Sequence, residues 1–339
     1  MEFMKNSTTI CLIGGSGFIG TRLAKKLEKD KIDFIIIDKE KSITFPQKTI
    51  IADVRNSEQI KSAIPQDSII INLAAEHRDD VKPNSLYYDV NVEGAKNIVS
   101  ACEEKNIRKI IFTSSVAVYG FAPIGTGENG EINPFNDYGK TKFEAEKIFQ
   151  SWHDLDSKNR TLVIVRPTVV FGEQNRGNVY NLLAQIASGK FLMIGNGLNR
   201  KSIAYVENIS AFLEWSSANL AAGKHVFNYV DKPDFTMNEL ISSVRLQLGK
   251  GLGVGIRLPR WCGLLAGSLL DMLAGILNRK FPLSRIRVEK FCADSVYSSK
   301  VDASGFLRPV SIEQALSQTL SYEFLNPEKE ETEIFYGSQ

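Results

Sequence analysis

The sequence predicts an α/β fold built on a parallel, doubly wound sheet, and three observations carry that expectation. Short β-branched runs recur through the first half of the chain: TTICLI, DFIIID, TIIAD, SIIINLA, KIIFTSS and TLVIVRP. Longer amphipathic stretches separate them, which is the spacing of βα units. The runs are apolar at successive positions, so both faces of the sheet need helices over them. Together these features describe a Rossmann-type sheet.

In chain order, the intervening segments read as helices at Thr21 to Lys29, Val90 to Glu104 and Tyr138 to His153. The pattern loosens after Gly172, where a polar loop, GEQNRGN, precedes a helix over Val179 to Ser188 and the turn GNGLNRKS. A later strand, HVFNYV, is expected near residues 225–230 and should return to the sheet. From about Pro233 the chain supplies helices and loops of a smaller C-terminal substrate lobe. The expected division is 1–172 for the cofactor-binding domain, 173–325 for the lobe and 326–339 for a solvated tail rich in Glu and Lys. Enzymes of two lobes generally hold substrate in the cleft between them.

Composition narrows the function. The 339 residues are 43% hydrophobic and 24% charged, ordinary for a globular protein, which excludes disordered and fibrous classes. The 41 basic and 39 acidic residues nearly cancel, so no basic field marks a nucleic-acid binder. Cys11, Cys102, Cys262 and Cys292 stand apart, as in a reduced, cytosolic chain. His77, His153 and His225 form no close pair with each other or with cysteine, so no metal site is expected. The start, MEFMKNSTTI, lacks the apolar core of a signal peptide, and a cytoplasmic location is expected.

Two motifs point to chemistry. In CLIGGSGFIGTRLAKKL, Gly14, Gly17 and Gly20 lie between a strand and a helix, where the backbone must turn tightly and a pyrophosphate approaches the helix N-terminus. A bare glycine turn is the competing reading. Asp38 follows 24 residues after Gly14, placed to accept hydrogen bonds from both ribose hydroxyls and to repel a 2′-phosphate, which favours NAD over NADP. Lys39 beside it weakens that preference. Asp53, in IADVRN, is placed either for the adenine amino group or as a helix N-cap. The second motif is Tyr138-Gly139-Lys140-Thr141-Lys142, whose Tyr and Lys share one helix face. An ammonium there can lower the phenol's pKa from about 10 and make it a base. Alone, such a pair is far more often a surface feature than a catalytic one. Ser115, 23 residues earlier in IIFTSSVAVYG, adds a hydroxyl at a strand end.

These motifs, in their order, resemble the extended short-chain dehydrogenase/reductases, and within them the nucleotide-sugar epimerases and dehydratases. The match runs through GGSGFIG, Asp38, ADV, NLAA, Asn91 in DVNVEGAKNIV, TSSVAVYG, YGKTK, RPTVVFG and RKSIAYVENIS. The resemblance implies a triad of Ser115, Tyr138 and Lys142, a tightly held NAD and a glycosyl diphosphate in the cleft. It implies cofactor contacts from Gly14, Ser16, Gly17, Phe18, Ile19, Asp38, Asp53, Val54, Leu73, Ala74, Ala75, Asn91, Thr113, Tyr138, Lys142 and Pro167. It also implies a homodimer through the helices at Val90 to Glu104 and Tyr138 to His153.

The two residues after Ser115 narrow the reaction. The family's 4,6-dehydratases carry an Asp-Glu pair there, and this chain has Val116 and Ala117. The same absence disfavours decarboxylation, and Asp38 disfavours a reductase that uses NADPH. Epimerisation at carbon 4 remains, with a 4-keto-sugar reductase and a non-catalytic NAD-binding scaffold as alternatives.

The stretches LAAEHRDDVKPNSLYYDVNVEG, FGEQNRGNVYNLLAQIASGKF, NRKSIAYVEN and FNYVDKPD are similar to one subgroup, bacterial enzymes that epimerise N-acetylglucosamine on undecaprenyl diphosphate for surface polysaccharide (O-antigen) assembly. The alternative is a soluble UDP-N-acetylglucosamine or UDP-glucose 4-epimerase. For the diphosphate the family pattern points to Arg200 or Lys201, with Arg287. Asn178 matches a position that bonds the diphosphate-sugar, and a helix N-cap is its other reading. His77 and Arg78 are candidates for contacts with the sugar or the lipid diphosphate, against a loop salt bridge.

One further stretch bears on the carrier. Trp261 to Leu277 is apolar apart from Ser268 and Asp271, with Arg257, Arg260, Arg279, Lys280, Arg285 and Arg287 around it. It is short for a span of about 20 residues. A helix lying in the headgroup region and a buried lobe helix both fit, and the subgroup resemblance favours membrane contact, peripheral on the cytoplasmic face of the inner membrane.

Overall fold

The computed structural model describes residues 8–78, 81–277, 284–326 and 334–335. The strands in chain order are β1 (Ile10–Ile13), β2 (Phe34–Asp38), β3 (Thr49–Ile51), β4 (Ile69–Asn72), β5 (Lys109–Thr113), β6 (Thr161–Pro167), β7 (Val169–Phe171), β8 (Met193–Ile194), β9 (Arg200–Tyr205), β10 (Gly223–Tyr229), β11 (Asp231–Thr236) and β12 (Arg257–Leu258). Each of the six β-branched runs contributes one sheet strand. Seven strands form a parallel sheet in the order β10-β6-β5-β4-β1-β2-β3. The strand order reverses between β1 and β4, and in such sheets the crevice at that point, at the carboxyl ends, receives the ligand.

Helices α1 (Phe18–Lys29), α2 (Ser57–Ala63), α3 (Ser85–Tyr88), α4 (Gly94–Glu104), α5 (Asp137–Asp154), α6 (Asn178–Ala187), α7 (Val206–Asn219), α8 (Met237–Gln247), α9 (Arg260–Leu277), α10 (Arg285–Cys292) and α11 (Ile312–Leu320) complete the fold. One face of the sheet packs Cys11, Ile13, Ile70 and Ile110 against Ile98 of α4 and Phe149 of α5. On the other, Leu12, Ile36 and Ile111 meet Leu23 of α1 and Phe212 of α7, and the same core runs on into α8 and α11. Both faces are therefore covered, as the apolar runs require.

HVFNYV is the end of β10, which pairs with β6 from Gly223↔Thr161 to Tyr229↔Pro167. The lobe adds a second sheet, β11-β9-β7, and the short parallel pair β12-β8. The expectation of a solvated tail fails at Phe335. Its N–H donates to the Gln174 carbonyl at 2.9 Å, its carbonyl accepts from Arg176 N–H at 2.8 Å, and its ring lies 5.6 Å from that of Phe18. Among the described residues no helix is long and apolar enough to cross a membrane.

Candidate active site

The site is assembled at the carboxyl rim of the sheet. Gly14, directly after β1, has φ +77°, and a Cβ there would lie 2.5 Å from the Ala74 nitrogen. Only glycine fits that approach of the β1 and β4 ends. Gly20 meets the turn equally closely, its Cβ position 2.5 Å from the Gly15 Cα. α1 opens at Gly17 with no side chain capping it, so its first amides face the rim unclaimed by a cap. Asp38, ending β2, accepts from the Ser16 N–H at 3.0 Å and from the Glu40 N–H at 3.1 Å. Burial is the largest influence on that carboxyl and raises its pKa. Asp53 is held by Arg55 at 2.6 Å, which lowers its pKa. The N-cap reading of Asp53 is corrected: α2 is capped by Asn56, whose side chain accepts from the Gln59 N–H.

Further along the rim, the amides of Leu73 and Ala74 are taken by the Ile13 carbonyl and the Asn72 side chain. Asn91, in a π-helical turn before α4, accepts from the Glu76 N–H at 2.9 Å and donates to the Glu76 carbonyl and to Thr141 Oγ1. It ties the loop after β4 to α5. Val54 is buried and sets the space at Gly94. Thr113 ends β5 with a buried hydroxyl that has no protein partner, while Pro167 ends β6. The glycine cradle, the uncapped helix start, the carboxylate at the end of β2 and this unpartnered hydroxyl fit a nicotinamide dinucleotide.

The triad lies on the same rim. Asn136 caps α5 through the Gly139 N–H at 2.9 Å, so Tyr138 and Lys142 fall on consecutive turns of one face. Ser115 hydrogen-bonds Tyr138 and also accepts from the Ala117 N–H at 3.1 Å. Lys142 Nζ donates to the Thr113 carbonyl at 2.8 Å and lies 4.9 Å from the Phe112 ring centre. Burial pushes Tyr138 up to about 12 and Lys142 down to about 7. The expectation that the ammonium lowers the phenol's pKa is therefore corrected for this geometry. Loss of water dominates at both groups.

Beneath them is a buried network that sequence reasoning missed. Glu146, one turn beyond Lys142, receives Arg166 in a two-pronged pair at 2.8 and 2.6 Å and the Ser114 hydroxyl at 2.5 Å. Arg166 also donates to the Tyr119 hydroxyl at 2.6 Å, which donates on to Asn228 at 2.8 Å. The usable signal is the spacing of Tyr138, Lys142 and Glu146 every four residues along α5.

His77 is half-buried after β4, its pKa lowered by burial and then by the Lys142 charge. Arg78 is exposed and pairs with Glu76 at 3.2 Å. Asn178 is exposed in the first turn of α6, and Gly177 occupies the cap, so the N-cap reading of Asn178 is corrected. Neighbouring residues of β9 face opposite ways: Arg200 is exposed, while Lys201 donates to the Lys290 carbonyl at 2.8 Å and burial lowers it to about 8. Arg287 lies one turn before Lys290 on α10 with its side chain exposed. Lys290 is a second residue that sequence reasoning missed. A cleft of about 790 Å³ opens here between β8, β12 and the end of α10. Arg279 and Lys280 lie outside the described residues.

With this geometry in view, the family model for NAD dependent epimerases and dehydratases matches residues 10–229. The chain belongs to the NAD dependent epimerase/dehydratase family. It is 48% identical over 325 residues, 95% of this chain and 97% of the relative, to an N-acetyl-alpha-D-glucosaminyl-diphospho-ditrans,octacis-undecaprenol 4-epimerase of Escherichia coli O157:H7. It is 27% identical to a UDP-glucose 4-epimerase of Vibrio cholerae over 81% of this chain and 88% of the relative. Among solved structures, its fold is similar to that of UDP-glucose 4-epimerase from Bifidobacterium longum in complex with NAD+ and UDP, with TM-score 0.72, 19% identity and coverage of 94% of this chain and 99% of the other. Family membership accords with the parallel sheet of seven strands.

Proposed function

We propose that this protein is an NAD-dependent 4-epimerase that interconverts N-acetylglucosamine and N-acetylgalactosamine on undecaprenyl diphosphate, at the cytoplasmic face of the inner membrane. The observation that carries this reading is the match along nearly its whole length, at 48% identity, to a relative bearing that activity's name. The triad and its apolar neighbours Val116 and Ala117 support epimerisation over dehydration, which needs an acid and a base at that place. The lipid-linked product would feed assembly of a surface polysaccharide such as O-antigen.

Bound at the rim, NAD supplies reversible oxidation at carbon 4. The chain's own residues handle the proton. Tyr138 takes it from the sugar's 4-hydroxyl, and Ser115 holds the same oxygen by a hydrogen bond. A neutral phenol beside a neutral amine contains as many protons as a phenolate beside an ammonium. Transfer of the phenol's proton to Lys142 thus makes the base without exchanging a proton with solvent. Thr113 and Asn91 set the position of Lys142 and of the β4 loop. The cleft would have to let the 4-keto sugar turn so that its other face meets the cofactor. Lys201, Arg200 and Lys290 are assigned to the diphosphate, as are Arg287 and Asn178, and His77 is assigned to the sugar. Pairing through α4 and α5 would give a homodimer, with mass in solution as the check.

The test is a paired turnover assay without added reductant. One sample offers undecaprenyl-diphosphate-N-acetylglucosamine in detergent and the other offers UDP-N-acetylglucosamine. Conversion of the lipid-linked sugar alone supports the proposal. Conversion of the UDP sugar alone overturns it.

A further inference from the structure

α9 is amphipathic in the sense opposite to that of a helix in water. Its inner face carries Gly263 and Gly267, where an added Cβ would meet the Ile194 side chain at 2.6 Å and the Arg285 backbone at 2.7 Å. On this side Asp271 accepts the Arg285 N–H at 3.0 Å. At about 100° per residue the opposite face is Trp261, Leu265, Leu269, Met272 and Leu273. These side chains are 63, 56, 58, 58 and 40% exposed. A surface helix ordinarily turns its charges outward. Here the one charged residue between Trp261 and Leu273, Asp271, is engaged by the start of α10 on the far side, and an apolar stripe faces out.

The rim of that stripe is basic. Arg257 and Arg260 are exposed at the start of α9, where the positive end of the helix dipole makes cations unfavourable. Arg257 donates to the Gly195 and Asn196 carbonyls and to Asn238, all uncharged partners. Arg285, Arg287 and Lys290 are exposed along α10. Cationic groups around an apolar helix face complement an anionic lipid surface.

The stripe also adjoins the cleft. Pro259 and Arg260, which lead into α9, line it together with Ile194, Leu198, Arg257 and Leu258. Cys292 and Asp294 line it as well, so the cleft runs from the end of α10 to the foot of α9.

We propose that the outer face of α9 lies in the headgroup region of an anionic bilayer and holds the mouth of this cleft at the membrane surface. That the arrangement delivers a lipid-linked diphosphate rests on the function proposed above; the docking itself rests on α9 and its basic rim. The test floats the full-length, NAD-loaded protein on vesicles of phosphatidylethanolamine with phosphatidylglycerol, and on vesicles of phosphatidylcholine alone. The wild type should partition onto the anionic vesicles about tenfold better. The double variant Leu265→Glu, Leu269→Glu should lose at least about tenfold of that binding while its melting temperature and NAD affinity stay unchanged. Anionic vesicles with brominated acyl chains should quench the wild-type tryptophan fluorescence, and the Trp261→Phe variant should be spared. That substitution does not threaten the fold.

Absence of vesicle binding by the wild type, or equal quenching of Trp261→Phe, would overturn the proposal. So would a double variant that floats like the wild type but changes from dimer to monomer, because a second copy would then own the stripe. The double variant should still convert the lipid-linked sugar in detergent. Loss of docking with that turnover intact tests the surface alone, whereas a wild type inactive on the same sugar in detergent defeats the substrate reading alone.

Discussion

The carboxyl rim of the sheet and the α9 lobe handle charge in opposite ways. At the rim, charged groups are buried and matched: Arg166 is clasped by Glu146, and Lys142 is held against a carbonyl with burial drawing its proton away. In the lobe, Arg257 and Arg260 are exposed at an open cleft, Arg200 and Arg287 are exposed elsewhere on its surface, and leucines of α9 face outward. The contrast separates two tasks. Proton transfer at carbon 4 requires few positions, fixed closely and kept from water. Accepting a carrier requires a surface that matches what lies outside the protein.

The comparison breaks most sharply at Tyr138. Tyr138→Phe should lower turnover by about 10³-fold or more, with NAD affinity unchanged by fluorescence titration; a variant retaining a tenth of the wild-type rate would remove Tyr138 from the proton step. Next comes the network below it. Glu146→Gln leaves Arg166 buried without its carboxylate and should cost about 3–5 kcal/mol of stability, read as a lower urea midpoint. A surface charge lost from the lobe should not approach that cost.

Lys201→Met should raise KM for the glycosyl diphosphate by about tenfold or more, the loss of one charged hydrogen bond, while kcat changes little. An effect on kcat alone would put Lys201 in the chemistry and blur the contrast. A further effect is on stability at Lys142. Its pKa in the folded chain is about 7, against about 10.4 for an unperturbed lysine. Between those values the unfolded chain binds the extra proton, so the cost of burying this lysine is full below the folded value and fades as pH rises. Lys142→Met, inactive in turnover, should therefore raise the melting temperature most near pH 6 and least near pH 10. A gain that does not vary with pH would contradict the burial account.

Much of the rim is legible in the sequence because its requirements are local. A glycine turn between strand and helix, a carboxylate at the end of the next strand and a Tyr-x-x-x-Lys face are all set by short-range geometry. The six β-branched runs take their places in the sheet for the same reason. The protonation of Tyr138 and Lys142 is not legible there, because burial is a property of the assembled fold. The Glu146–Arg166 clasp joins residues 20 apart, and Lys290 meets Lys201 across 89 residues of chain. Phe335 returns to Phe18 from the far end of the sequence, a contact with no local signal. In the lobe, the apolar run from Trp261 is plain, but only the packing of Gly263 and Gly267 tells which of its faces is turned outward.

The most direct test of the account is the fate of the hydrogen on carbon 4. Lipid-linked N-acetylglucosamine deuterated at that carbon is converted in ordinary water, and the product is read by mass spectrometry. If Tyr138 moves only the hydroxyl proton within a buried pair and the carbon-bound hydrogen is removed and returned inside the same closed site, the deuterium stays on carbon 4 of N-acetylgalactosamine. Replacement of that deuterium by solvent hydrogen would contradict the account.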